Sequence, residues 1–182
     1  ILLPYKRMLK YLKSGKIDFA IFFLSDNSAS FSEKLLPMYD LDTIVVGKKS
    51  LKIKSKEELY KLYLATPLGV NYNTGLANNR DIQMRYVNDY KNAILMLKKG
   101  HIDAIVAPKN ILDYQLKELG QNLKDLGEPF KLTTNTAWIQ FSNKSALQHH
   151  KTTIINAAKN VIKRGTIENI LLKYYPKEEP TR

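Results

Sequence analysis

Residues 12–21 read LKSGKIDFAI, and residues 97–106 read LKKGHIDAIV. Leu12/Leu97, Lys13/Lys98, Gly15/Gly100, Ile17/Ile102 and Asp18/Asp103 match, each pair 85 residues apart. Within each copy the apolar period changes. Upstream, Met8, Leu9 and Leu12 recur at helical spacing, as do Ala93, Ile94 and Leu97, with Asn88 or Asp89 as the candidate N-cap. Glycine then stops each helix, because it tolerates the left-handed conformation of the C′ position. Downstream, DFAIFFL (18–24) and DAIVA (103–107) are short apolar runs, the pattern of a strand covered on both faces. Each phrase is therefore one helix-to-strand step of an α/β unit. Taken alone, the repeat fits duplication and the reuse of a common turn equally well.

Between the copies, DTIVVGKK (42–49) reads as a strand followed by a basic loop. Ser55 and Glu58 have the spacing of a capping box, which predicts a helix over 56–63. LGVNYNTGL (68–76) predicts a short strand that runs into Asn73, Thr74 and Gly75 and then a helix. Such a turn gathers backbone N–H groups and a hydroxyl at a helix N-terminus, where anions and carboxylates are favoured. It lacks the Gly-Lys-Ser/Thr of a phosphate-binding loop, and an isolated NTG is as often a plain turn.

After the second copy, Pro108 suits the first turn of a helix reaching about Leu119, and residues 129–142 (PFKLTTNTAWIQFS) read as extended. A long helix is predicted over 145–164, with Leu147, Ile154, Ala158, Val161 and Ile162 inward. Gly165 breaks it and Thr166 caps a last helix ending at LLKYY, before a tail, PKEEPTR, expected to fray.

The chain of 182 residues is long enough for one domain or two small ones. No apolar run approaches the roughly 20 residues that cross a bilayer. The absence of cysteine removes disulfides, thiolate catalysis and cysteine metal ligands, and leaves the compartment open. A net charge of +12 raises the question of nucleic acid. The lysines are spread along the chain, without a basic arm, zinc finger or RRM signature, so they read as a solvated surface and no nucleic-acid partner is expected.

Signs of catalysis are sparse. His101 falls in a turn, while His149 and His150 are adjacent on one predicted helix and so should face different directions. No HxxxH or HExxH spacing exists, and no metal or other cofactor is expected. There is no GxSxG or GxGxxG either, so no catalytic residue is assigned. Asp18 and Asp103 recur after a glycine turn, which suggests bonding to turn amides ahead of acid–base work. Trp138, within an extended segment, reads as core ahead of a stacking platform.

Five phrases in order cover nearly the whole chain: LKSGKIDFAI, LLPMYDLDTIVVGKK, IKSKEELYKLYLATPLGVNYNTGL, LKKGHIDAIVAPKNILDYQL and INAAKNVIKRGTIENILLKYY. The ordered set resembles the family 3 extracellular solute-binding proteins, the type II periplasmic binding proteins of ABC transporters for amino acids and other small polar solutes. The resemblance implies an α/β fold of two lobes joined by two crossing strands, near 44–48 and 136–141, with the solute held between the lobes. Lobe 1 would comprise residues 1–46 and 139–182, and lobe 2 residues 47–138. Family members begin with a further strand, loop and helix before the point matching Leu3, so lobe 1 is expected to be incomplete at its N-terminus. The resemblance implies hinge closure that the transporter's membrane subunits recognise, a periplasmic location and no enzyme activity. A monomer is expected. The alternatives are a ligand-sensing domain of a membrane receptor and, less favoured, an enzyme of the same fold.

Two departures from the family pattern bear on the solute. Amino-acid-binding members carry an Arg after the strand matching 18–24, where it pairs with the α-carboxylate. An ungapped alignment places it at Ser30, and no Arg occurs between Arg7 and Arg80. They also carry an Asp for the α-ammonium five residues beyond the Asp of the second phrase, a position held here by Pro108. Thr74 matches the Gly-Ser/Thr turn of lobe 2, with Asn73 in place of the glycine. A buried charge that loses its partner costs about 3–5 kcal/mol, two to four orders of magnitude in affinity. The expectation is therefore a small polar or anionic solute contacted by Ser25, Tyr72, Asn73, Thr74 and Gly75, with specificity set at 25–30 and 107–109.

Overall fold

In the computed structural model, the described residues are 3, 5–23, 28–68, 75–76 and 79–174. Both repeated phrases fold as a helix, a glycine stop and a strand. Helix α1 (Tyr5–Ser14) ends at Gly15 and leads into strand β1 (Phe19–Phe23). Asp89 caps α2 (Tyr90–Lys99), its side chain accepting a hydrogen bond from the Asn92 N–H at 2.8 Å, and Gly100 ends the helix before β5 (Ala104–Pro108). Only β5 is buried throughout as expected; β1 ends the strand order and leaves Phe19 and Ile21 exposed. Both glycines are left-handed, with φ of 77° and 74°. Gly15 is constrained twice over, since a Cβ there would lie 2.6 Å from the Lys144 carbonyl oxygen.

Two compact units divide the chain: residues 1–40 with 136–182, and residues 41–135. Both passages run inside long strands, β2 (Ser32–Gly47) and β6 (Phe130–Ser142), which are hydrogen-bonded neighbours.

In the first unit, β1 pairs antiparallel with β6, from Phe19 opposite Phe141 to Phe23 opposite Ala137. Helix α1 is fastened by fully buried Leu12, whose carbonyl accepts a hydrogen bond from Ser142 Oγ at 2.6 Å. Tyr5 meets Phe22 edge to face, with ring centroids 6.2 Å apart. Helices α4 (Lys151–Lys163) and α5 (Thr166–Tyr174) complete this unit, separated at Gly165.

The second unit adds strands β3 (Tyr63–Pro67) and β4 (Gln83–Val87), in the order β2-β5-β3-β4. Strand β2 is antiparallel to β5, while β3 is parallel to both β5 and β4. Strands β4 and β5 flank β3, and α2 supplies the crossover that carries the chain from one to the other. Ile44, Val46, Ala65, Ile105 and Ala107 form a core with Ile94 and Leu97 of α2 and Leu112 and Leu116 of α3 (Lys109–Glu118). Burying each of the larger side chains is worth about 1.5–3 kcal/mol.

Several elements differ from the sequence expectations. The helix predicted over 56–63 is only a 3₁₀ turn, Glu57–Lys61, and Tyr63 already belongs to β3. Lys56 stands at its N-cap and its side chain makes no cap hydrogen bond, and Glu58 Oε2 instead accepts from the Lys54 N–H at 2.8 Å. The strand placed at the start of 68–76 lies earlier, at 63–67, and the described residues 75–76 and 79–82 form no helix. The helix expected from residue 145 begins at Lys151, after a separate 3₁₀ turn at Gln148–His150. Pro108 is the N-cap of α3, one residue before the helix.

Candidate functional site

Of the five residues expected to contact solute, Ser25, Tyr72, Asn73 and Thr74 lie outside the described residues. Gly75 is exposed, with φ of 71°, and Lys56 Nζ lies 3.6 Å from where its Cβ would be. The described residues after it are non-helical, so the helix N-terminus expected beyond Gly75 is not formed by them.

Beyond β1 the described chain resumes at a 3₁₀ turn, Ser28–Ser30. Ser28 is buried, and its carbonyl accepts from Ser32 Oγ at 2.8 Å. Ser32 Oγ also lies 3.3 Å from Gln140 Oε1. Gln140 is fully buried on β6, and its Nε2 has no hydrogen-bond partner among the described residues. Ser30, where the sequence resemblance leads an Arg to be expected, is exposed.

In the second unit, Pro108 is buried with φ −61° at the N-cap of α3 and makes no side-chain cap bond. An aspartate there could accept an ammonium, whereas the proline ring presents only carbon. Thr66 is buried near the end of β3, and its Oγ1 likewise has no partner among the described residues. No sequence signal marks Gln140 or Thr66, because both sit inside otherwise ordinary strand patterns.

Polar pairs crowd the stretch where β2 and β6 pass between units. In the first unit, Thr136 Oγ1 donates to Asp40 Oδ1 at 2.6 Å. In the second, Asp42 Oδ1 accepts from Thr134 Oγ1 at 2.7 Å and from Lys131 Nζ at 2.8 Å. Asn135 Nδ2 donates to Thr43 Oγ1 at 3.0 Å. The Lys131 bond first, and the Thr134 bond second, hold the Asp42 carboxyl below its usual range, against a smaller opposing effect of burial.

The recurrent aspartates serve the scaffold, though not by bonding amides of their own turns. Asp103 Oδ2 accepts the N–H of Tyr63 on a neighbouring strand at 2.8 Å, and Asp18 Oδ1 accepts Ser145 Oγ at 2.6 Å. His149 and His150 do not face apart: the 3₁₀ turn brings their rings to 4.1 Å between centroids. Each unit also has a surface groove, one of about 530 Å³ beside Met8, Ile17, Phe19 and Ile21, and one of about 400 Å³ beside Tyr86, Leu95, Met96 and His101. Gly75, the one expected contact residue among those described, lines neither groove. Among the described residues no group of three His, Asp or Glu side chains is placed to hold a metal ion.

No family model matches the chain. The probable amino-acid-binding protein YxeM of Bacillus subtilis (strain 168) is 23% identical over 185 residues, spanning 96% of this chain and 67% of that protein. Among solved structures, the P235GK mutant of ArgBP from T. maritima superposes with a TM-score of 0.78 at 17% identity, over 97% of this chain and 77% of that one. The substrate binding protein of an amino acid ABC transporter gives 0.76 at 17% identity, over 96% and 78%. The chain has the fold of the type II periplasmic binding proteins. The type II resemblance carried by the five ordered phrases is borne out both by this fold and by the likeness to the Bacillus subtilis protein.

Proposed function

We propose that this protein is a solute-binding protein, which captures a small polar or anionic solute and presents it to the membrane subunits of an ABC transporter. The observation that carries the reading is the coincidence of two likenesses over almost the same stretch. The type II fold matches over 97% of the chain, and the similarity to a probable amino-acid-binding protein spans 96% of it. The two compact units are the lobes, β2 and β6 carry the crossings, and Ser25, Tyr72, Asn73, Thr74 and Gly75 contribute to solute contact. Solute binding biases the lobes toward a closed form, and that form is what the transporter reads.

The relatives' names point to amino acids. With Ser30 and Pro108 where an Arg and an Asp are expected, an α-amino acid needs other partners for both its charges. Anionic or uncharged polar solutes make no such demand. Delivery to a transporter implies action outside the cytoplasm, in the periplasm, as a monomer. No described helix is long and apolar enough to cross a membrane.

A thermal-shift screen of the purified protein tests this reading, using the twenty common amino acids, small dicarboxylates and sugars. A solute at about 100 times its dissociation constant adds roughly 2.7 kcal/mol of stability, a rise of several degrees in melting temperature. If nothing in the panel raises the midpoint, the reading fails for these solute classes.

One structural neighbour favours a second reading. The ancestral amino-acid-binding protein AncCDT-1, described as a precursor of cyclohexadienyl dehydratase, shares the fold with a TM-score of 0.75 at 17% identity. Turnover of a cyclohexadienyl acid by the purified protein would replace binding with catalysis as its function.

A further inference from the structure

Strands β2 and β6 are hydrogen-bonded neighbours, and both cross from one unit to the other, between residues 40 and 41 and between 135 and 136. The Asp40–Thr136 bond lies in the first unit, immediately before the division. The Asp42–Thr134 bond lies in the second unit, immediately after it. The second pair is two residues further along β2 and two residues back along β6, the relation of successive pairs on one face of an antiparallel ladder. Only Leu41 and Asn135 stand between the pairs, and Asn135 is engaged with buried Thr43 inside the second unit.

Sheet propensity does not explain these residues. Aspartate is depleted in strands, and two carboxylates spaced two apart on one strand repel each other. Each is instead met by a hydroxyl donor at 2.6–2.7 Å, a charge-assisted bond, and Asp42 also has Lys131. Both carboxylate–hydroxyl bonds are exposed, so water can replace the threonine when a bond opens. Such bonds hold the strands together without locking them.

We propose that Asp40–Thr136 and Asp42–Thr134 are paired clasps, one on each side of the division, that confine bending of β2 and β6 to the peptides between them. The proposal rests on the reading that the two units move as lobes. With both clasps made, flexing is limited to residues 40–42 and 134–136. With them removed it spreads along the strands, and the range of separations between the units widens. Asp40, Asp42, Thr134 and Thr136 thus act as positioning residues, not as solute contacts.

The cysteine-free chain makes the test direct. Spin labels at Glu118→Cys and Lys159→Cys, exposed positions in the second and first units, report the distribution of distances between units with no solute added. Against that background, Thr134→Val with Thr136→Val should broaden the distribution about twofold while leaving the melting temperature nearly unchanged, since slow collective motion is what the clasps restrain. Thr134→Ser with Thr136→Ser keeps the hydroxyls and should restore the narrow distribution. An unchanged width in the valine pair overturns the proposal. Should that pair fail to fold, Thr136→Val alone is expected to broaden the distribution by a smaller amount, and an unchanged width there overturns it equally. Because no solute is present, failure here is distinct from failure of the solute-binding reading, which the thermal-shift panel decides.

Discussion

Asp103 and Tyr63 exchange two hydrogen bonds: the Tyr63 N–H donates to Asp103 Oδ2, and the Asp103 N–H donates to the Tyr63 carbonyl, both at 2.8 Å. The first copy of the phrase uses its aspartate in a related way. Asp18 accepts Ser145 Oγ on its carboxylate at 2.6 Å and the Ser142 N–H on its carbonyl at 2.8 Å. In both copies the residue after the glycine turn staples a distant segment to the start of a strand. Removing the Asp103 carboxylate leaves one N–H to water, at a cost of about 1–2 kcal/mol. Asp103→Ala should therefore lower stability in urea denaturation by that amount and leave solute affinity unchanged. A large affinity change with unchanged stability would assign Asp103 to the site.

The two glycines of the repeat separate dihedral strain from crowding. Gly100 and Gly15 share the left-handed conformation, but a Cβ on Gly100 meets nothing closer than Lys48 Nζ at 3.4 Å, whereas on Gly15 it meets the Lys144 carbonyl at 2.6 Å. Gly100→Ala should cost about 1–2 kcal/mol, the strain of a left-handed non-glycine residue. Gly15→Ala should cost clearly more, because backbone must shift as well. Equal losses in chemical denaturation would remove the crowding argument.

Thr66 carries a buried hydroxyl with no partner among the described residues. With no described partner to offset its desolvation, the nearly isosteric Thr66→Val should stabilise the protein by about 1 kcal/mol. A loss of stability on that substitution would reveal a hydrogen bond to the Thr66 hydroxyl.

Asp42 links stability to pH. Its carboxyl is held below the usual value chiefly by Lys131 and then by Thr134, so the folded form resists protonation more than the unfolded form does. Its stabilising effect is present above the unfolded carboxyl value of about 3.9 and is lost as pH falls below it toward the lower folded value. The pair is partly exposed, so the effect is small and shrinks in salt. Urea midpoints measured from pH 6 down to pH 3 should fall less steeply for Asp42→Asn than for the parent protein. Parallel curves would show that the Lys131 contact carries no linkage.

The repeated phrases were legible because each ends a helix with a left-handed glycine and then opens a short apolar strand, although only the second strand is buried throughout. The same signals were weak elsewhere. Strand β4, QMRYV, exposes Gln83, Arg85 and Tyr86, so it has no apolar run to announce it. Ser55 and Glu58 have the spacing of a capping box, but Tyr63 and Leu64 are drawn into the sheet beside β4, and that pairing shortens the helix to a turn. The candidate site rested on resemblance alone, and four of its five residues lie outside the described ones. Among the described residues Thr66 Oγ1 and Gln140 Nε2 have no hydrogen-bond partner, and local sequence carries no trace of that.

Titration calorimetry of the purified protein against the solutes that raise its melting temperature tests the central claim most directly. The account predicts saturable one-to-one binding at micromolar concentration or tighter by a small polar or anionic solute, with common L-amino acids much weaker because Ser30 and Pro108 provide no charge partner. Micromolar binding of common L-amino acids would contradict the inferred specificity, and the absence of saturable binding by any of these solutes would contradict the assignment as a solute-binding protein.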